Sequence, residues 1–435
     1  MLSILRNRDY RQLFAAQVVA LIGTGLATVA LSLMAHELAG EAAGTVLATA
    51  LTIKMVAYVF VSPVLAALFQ TLPRKTVLVA LDLLRALTAL SLPFVTEVWQ
   101  VFAIIFVLQA CSSGFTPLLQ SVIPDILPDQ EDYTRALSLS RLAYDLESLL
   151  SPALAALLLL LVSWHALFLG TALGFLASAV LVVSTVLPKY AVSVPEHWRQ
   201  RLTRGMRIFL HTPRLRGLFL LNLAAAMGGA MVIVNTVVMV QSELALSAQD
   251  TAIALATFGG GSMLAALLLP TLSAHATDRR LMLCGVAVLL LGQIIGSQIS
   301  AFAGLLACWP VMGFGYALVL TPTGKVLTRS CRQQDRAALF AAQFSLSHLG
   351  WLAAYPAAGW LYRGVGMELT FLLFAGLSII AGLLAAKIWR ADEPEEIGHT
   401  HPELPDDHEH HRLVDAHGQH AHNIVIDELH PSWPR

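Results

Sequence analysis

The chain has 435 residues, 57% of them hydrophobic and 13% charged, with a mean hydropathy of +0.69. Ordinary soluble domains run at about 45–50% apolar and about 25% charged, and here the apolar excess fills nearly the whole chain, which excludes a soluble enzyme on a single anchor. A net charge of −1 with no basic patch excludes nucleic-acid binding as the main role. The composition is that of an all-α protein crossing a lipid bilayer many times. The charge is uneven: residues 391–435 hold 11 acidic and 2 basic residues and 9 of the 15 histidines, while residues 1–390 carry a net +8. Cys111, Cys284, Cys308 and Cys331 show neither CxxC spacing nor a disulfide framework and read as buried thiols.

A helix needs about 20 apolar residues to cross a bilayer. Runs of that kind, closed by Pro, Gly or charge, lie at 12–37, 43–69, 76–95, 100–123, 135–162 and 165–187. They resume at 215–241, 250–274, 281–301, 303–325, 336–362 and 367–389, which makes twelve predicted spans. The first is read as a span and not as a cleavable leader, because no small-residue cleavage site follows it. If the spans alternate, 23 of the 27 Lys/Arg fall on one side, Lys54, Arg85 and Arg141 fall within spans, and only Arg363 falls opposite. This asymmetry predicts a bacterial inner-membrane protein with both termini cytoplasmic.

The chain is internally duplicated. Arg74-Lys75 and Thr116-Pro117 recur 205 positions later as Arg279-Arg280 and Thr321-Pro322, and Pro152-Ala153 recurs 204 later as Pro356-Ala357. The predicted organisation is a six-helix half over 1–187, a basic linker over 188–214, a second six-helix half over 215–390, and an acidic His-rich tail over 391–435. Paired repeats with a site between them near the midplane are the build of secondary transporters. In the linker, His197 to Leu210 reads as a basic amphipathic helix on the inner leaflet or as a plain connector.

Over residues 1–390 the chain resembles the major facilitator superfamily. The opening Arg6-Asn7-Arg8-Asp9-Tyr10-Arg11-Gln12-Leu13-Phe14 is similar to the start of its drug:proton antiporters. Ser62-Pro63, Arg74-Lys75 and Asp82-Leu83-Leu84-Arg85-Ala86 stand where the superfamily keeps its signature loop and gate. The usual first Gly is Ser62 and the usual Asp-Arg is Gln70-Thr71, which leaves Asp82 and Arg85, three apart on one helix, as the charged pair. A narrower likeness is to the nickel-resistance exporters. It rests on the string Ser138 to Ser148, on Lys54-Met55-Val56-Ala57-Tyr58, on Ser347-His348, and on the His-rich tail.

An ionised group inside a span costs about 2.5–3.5 kcal/mol on insertion scales, so those that persist have partners or a wet cavity. Lys54, Asp145, Glu147 and His348 all read as near one depth, and the repeat offset maps His348 onto Tyr144. Two residues along a helix turn about 200°, so Asp145 and Glu147 point to opposite faces. Arg141, four before Asp145, can pair with it, which leaves Glu147 on the stripe of Ser140, Tyr144 and Ser151 to face a cavity. Imidazole with carboxylate suits a borderline divalent cation, whereas structural salt bridges account equally for the charges alone. No GxxxxGK[ST] loop is present, so an ion gradient must drive any transport.

The tail reads His399-x-His401, His408-x-His410-His411, His417-x-x-His420-x-His422 and His430, interleaved with acids, in a spacing that fits no rigid zinc module. It reads as a tail disordered without metal and a low-affinity gatherer of metal, with no permanently bound cofactor, ending in a less random Asp427-to-Trp433 run that reads as able to dock, with no mechanism assigned to it. The expected function is proton-driven export of nickel or cobalt by a monomer. The alternatives are a hydrophobic-drug exporter with a regulatory tail, or a metal sensor on a transporter core.

Overall fold

A computed structural model describes residues 2–188 and 197–391 and, in the tail, residues 397–398, 421–422, 424–427, 429–430 and 433. The first half contains α1 (Arg8–Ala39), α2 (Gly44–Phe69), α3 (Arg74–Phe94), α4 (Val98–Ile126), α5 (Gln130–Leu159) and α6 (Trp164–Val183). A linker helix, α7 (Trp198–His211), follows. The second half contains α8 (Pro213–Glu243), α9 (Ala248–His275), α10 (Asp278–Gly296) and α11 (Phe302–Thr328). A last apolar stretch, Gln333–Ile388, is broken at Gly366, where φ is 82° and ψ 173°. Arg336 at its start bonds Asp125, and Ala386 and Trp389 at its end accept from Arg279, so both ends lie on one face and the stretch is a hairpin. We call its arms α12 (336–365) and α13 (367–388). Twelve spans result, each satisfying its own backbone groups as a bilayer requires.

Caps set the helix starts. Asn7 accepts from the Tyr10 amide at 3.1 Å to open α1, and Asp129 accepts from the amides of Glu131 and Asp132, both at 2.9 Å, to open α5. Because Asp129 caps, α5 starts five residues before the hydropathy run, carrying a polar first turn out of the apolar zone.

Within the first half α1 packs on α6 and α3 on α4 and α6; in the second, α8 packs on α12, and α9 and α10 on α11. The halves meet where α5 faces α9 and α2 faces α12. Gly261 and Gly313 permit a close crossing of α9 and α11, since a Cβ at either would strike the carbonyl of Pro310 or Phe258. The second half has one large core that includes Met231, Trp309, Phe371 and Phe374, with the Trp309 indole donating to Thr236 Oγ1 at 2.9 Å. Three of the thiols are buried; Cys284 is exposed on α10, contrary to expectation, because a membrane span turns small apolar residues outward as readily as inward.

The linker forms the amphipathic helix, but its apolar side is taken by protein. Gly205, Ile208 and Phe209 are buried, Gly205 lies so close to the Ala338 carbonyl that no Cβ would fit, and Arg204 pairs with Asp335. Of the tail, Ile397–Gly398 pairs antiparallel with Ala421–His422. We call the face that carries α7 and both chain ends the terminal face.

Candidate functional site

The charged residues predicted for mid-span positions lie between the halves and separate into two groups. In the first, Arg141 Nε donates to Asp145 Oδ2 at 3.1 Å, and its Nη2 pairs with Oδ1. The second half completes this group: Ser262 on α9 donates to Asp145 Oδ2 at 2.6 Å and accepts from Arg141 Nε at 3.0 Å, while the guanidinium carbon sits 4.9 Å from the centre of the Tyr316 ring. Asp145 is buried and fully engaged.

The second group joins α2, α5 and α12. Lys54 and Glu147 lie within electrostatic range of each other, and neither makes a hydrogen bond or ion pair among the described residues. The Lys54 ammonium lies 5.6 Å from the Tyr58 ring centre, and Tyr58 donates to Gln109 Oε1 at 3.0 Å. His348 packs edge-on against Tyr58 at 4.7 Å and against Phe344 at 4.2 Å. Its Nδ1 stands 2.7 Å from the Phe344 carbonyl. A carbonyl only accepts, so Nδ1 carries the proton, and in the neutral ring Nε2 keeps its lone pair. Tyr144 lies beside Gln17 and Gln120, and Gln17 in turn accepts from Ser140 at 3.1 Å.

Local backbone places Tyr58. Residues Ala57–Val61 of α2 form a single π turn, a wider winding that shifts side-chain direction and loosens the hydrogen-bond ladder. The Val59 carbonyl within it accepts the hydroxyl of Ser345 from the second half. Among the described residues, no group of three or more His, Cys, Asp or Glu is close enough to hold a metal ion.

A second network closes the terminal face. Asp125, at the end of α4 and with its carboxylate fully buried, pairs with Arg74 at 3.0 Å and with Arg336 from the second half. Gln333 donates to the same carboxylate at 3.0 Å, and Arg74 donates to the Gln333 carbonyl at 3.3 Å. Lys75 points elsewhere, to the Thr185 carbonyl at 2.8 Å. Asp82 and Arg85 do pair, but inside the first half: Ser178 donates to Asp82 at 2.8 Å, and Arg85 stacks 4.0 Å from Phe115 and 4.5 Å from Phe175. They bridge spans of one half and not the two halves.

Sequence reading overlooked Asp125, Gln333 and Arg336, which look like ordinary charged or polar loop ends. It overlooked Ser262 and Tyr316 too; the glycine run 259–261 was the signal that α9 is approached closely there. In the tail, His399, His401, His408, His410, His411, His417 and His420 lie outside the described residues, as does the side chain of His422. His430 is described and is buried.

The sequence profile of the Major Facilitator Superfamily matches residues 13–276 and 218–405. An uncharacterized MFS-type transporter of Bacillus subtilis, YfiS, is 24% identical over 353 residues, covering 75% of this chain and 80% of that one. Macrolide efflux protein A of Streptococcus pyogenes is 25% identical over 223 residues, 49% of this chain and 54% of that protein, so the match spans about half of its length. Among solved structures, the human organic anion transporter MFSD10 (TETRAN) superposes with a TM-score of 0.76 at 13% identity, covering 87% of this chain and 99% of that one. Two six-helix halves, a polar site between them, and a profile match across both place this chain in the major facilitator superfamily of transporters, as a multi-pass membrane protein and not an enzyme.

Proposed function

We propose that the protein exports a divalent metal cation, nickel or cobalt, in exchange for protons, with the terminal face toward the cytoplasm of a bacterial cell. The observation that carries this reading is the uncommitted state of Glu147. Of the two mid-membrane acids, Asp145 has its charge met by Arg141 and Ser262. Glu147 has only the nearby Lys54 and no bond among the described residues. A carboxylate in that position can take up a cation or a proton but not both, which is the requirement for exchange. His348 offers Nε2 from the other half, and imidazole with carboxylate suits a borderline dication. Lys54 acts as the internal counter-charge of the empty site and has to give way when cargo enters. Carrying a dication out against 100 mV costs about 4.6 kcal/mol, twice the cost for one charge, and two protons moving inward offset it.

A second reading is favoured by a different observation. Phe258, Tyr316, Trp351 and Tyr355 form a chain of ring contacts with centroids 5.0 to 6.1 Å apart, beside the Tyr58–Phe344 pair. Such a surface suits an apolar organic cargo, and the streptococcal relative is named for macrolide efflux. The test is uptake by energised everted vesicles supplied in turn with Ni²⁺, Co²⁺, Zn²⁺ and a macrolide, for wild type, Glu147→Gln and a truncation after Arg390. Export of Ni²⁺ or Co²⁺ that needs Glu147 and a proton gradient supports the first reading. Macrolide movement without metal movement replaces it with the second, and transport indifferent to the proton gradient sinks the exchange mechanism in both.

A further inference from the structure

The end of the chain is seated on the second half beside the gate. Ile424 and Ile426 are each 1% exposed, and Ile426 joins the core of that half with Trp433 packed against it. Asp427 and His430 are tied to each other: the Asp427 amide donates to the His430 carbonyl at 3.2 Å, and Asp427 Oδ1 accepts from the His430 amide at 2.7 Å and meets its Nδ1 at 3.0 Å. The other oxygen of Asp427 pairs with Arg332. Arg214 fixes the segment from below, reaching the Ile424 carbonyl at 3.4 Å and lying 5.2 Å from the Trp433 ring centre, while it also bonds Ser330 at 2.9 Å and the Arg329 carbonyl at 3.2 Å. Aliphatic side chains, one carboxylate and an aromatic ring thus meet an apolar, arginine-lined cradle of matching chemistry.

The cradle is the loop that builds the gate. Arg332 pairs with Asp427 of the tail directly, Arg329 and Ser330 are tied to it through Arg214, and Gln333 and Arg336, one and four positions after Arg332, hold Asp125 of the first half. Between them Asp335 is held by Arg204 of the linker helix. For the terminal face to open, Gln333 and Arg336 must leave Asp125, and a loop anchored on three sides has little freedom to do so. We infer that Ile424, Ile426, Asp427, His430 and Trp433 act as an intramolecular latch, which orders the 329–336 loop and thereby favours the closed terminal face. The inference does not depend on the cargo.

The test uses the full-length protein in lipid vesicles and two thiols on the terminal side. Buried Cys331 in the loop reports undocking, and a cysteine introduced by Ala341→Cys, at a buried interface position beneath the gate, reports opening. Maleimide labelling is followed site by site by mass spectrometry, with Cys308 in the second-half core as the check on folding. Asp427→Arg and Arg332→Asp should each raise labelling at both sites by about tenfold, as expected for a local opening made easier by one anchor. The double reversal should return both rates to within about threefold of wild type. Faster labelling of Cys331 alone would mean that the chain end is packing and not a latch. Unchanged rates at both sites, or a double variant no better than the singles, would overturn the docking contact itself. If either single variant also exposes Cys308, Asp427→Asn, which removes charge without reversing it, decides by the same readout.

Discussion

The two halves solve one electrostatic problem with opposite signs. In the first, Arg74 opens α3 and pairs with Asp125 at the end of α4. In the second, Asp278 opens α10, 204 positions after Arg74, and pairs at 2.9 Å with Lys325 near the end of α11, 200 positions after Asp125. The place of the pair is retained and its polarity is reversed. The consequence lies in the third partner. Asp125 accepts Arg336 from across the interface and so becomes a gate, whereas the third partner of Asp278 among the described residues is Arg329 of its own half, at 3.9 Å, and the pair stays a local brace. The asymmetry continues inward. The ionic charge of the site between the halves (Lys54, Arg141, Asp145, Glu147) belongs to the first half, and the second contributes neutral or weakly basic groups: Ser262, Tyr316 and His348. A charged half thus faces a neutral, continuously packed one.

Four comparisons would break or sharpen that contrast, led by the largest expected effect. Asp82→Asn, inside the first half, orphans Arg85 between two aromatic rings. Loss of one partner of a buried pair costs about 3–5 kcal/mol, to be read as a lower unfolding temperature in detergent. Asp125→Asn frees Arg74 and Arg336 together, and the terminal face should open, raising labelling at Ala341→Cys by about tenfold, a shift of about 1.4 kcal/mol. Equal labelling in Asp278→Asn would erase the distinction between gate and brace. Exchanging the brace, Asp278→Lys with Lys325→Asp, gives the second half the polarity of the first; it should restore stability to within about 1 kcal/mol where each single change does not. The last contrast concerns glycines. A Cβ at Gly25 meets Ser151 and stands 2.9 Å from Glu147 Oε1, so Gly25→Ala should cost about 1–3 kcal/mol and slow transport. At Gly259 the nearest atom is the flexible tip of Leu149 at 3.3 Å, and Gly259→Ala should leave both melting and transport nearly unchanged.

Much of this architecture was legible in the residues. Apolar runs, their punctuation by Pro and Gly and the offset near 204 carry the twelve spans and the two halves, because bilayer thickness and backbone satisfaction leave few alternatives. Helical spacing was enough to pair Arg141 with Asp145 and Arg85 with Asp82, since both partners lie on one helix. What stayed hidden needs two distant segments at once. Asp125 and Arg336 are 211 positions apart, and nothing local marks either. Ser262 has the spacing of a packing residue and becomes a ligand of Asp145 only when α9 meets α5. The Asp427-to-Trp433 run stood out as less random than the rest of the tail, but its seat and the burial of Ile424 and Ile426, each 1% exposed, were hidden because the cradle that receives them is formed by another loop.

Gly366 bears on how the protein is made. Its φ of 82° lets the chain reverse between α12 and α13 in a single residue, with Tyr362 on one arm donating to Glu243 and Glu368 on the other accepting from Gln298. Left-handed backbone of this kind is strained for every residue that carries a Cβ. With so short a polar turn between two long apolar arms, the final pair of spans enters the bilayer as one preformed hairpin. The biogenesis of the last 100 or so residues therefore hinges on a residue that touches neither cargo nor gate, and Gly366→Val would be felt first in the yield of inserted protein.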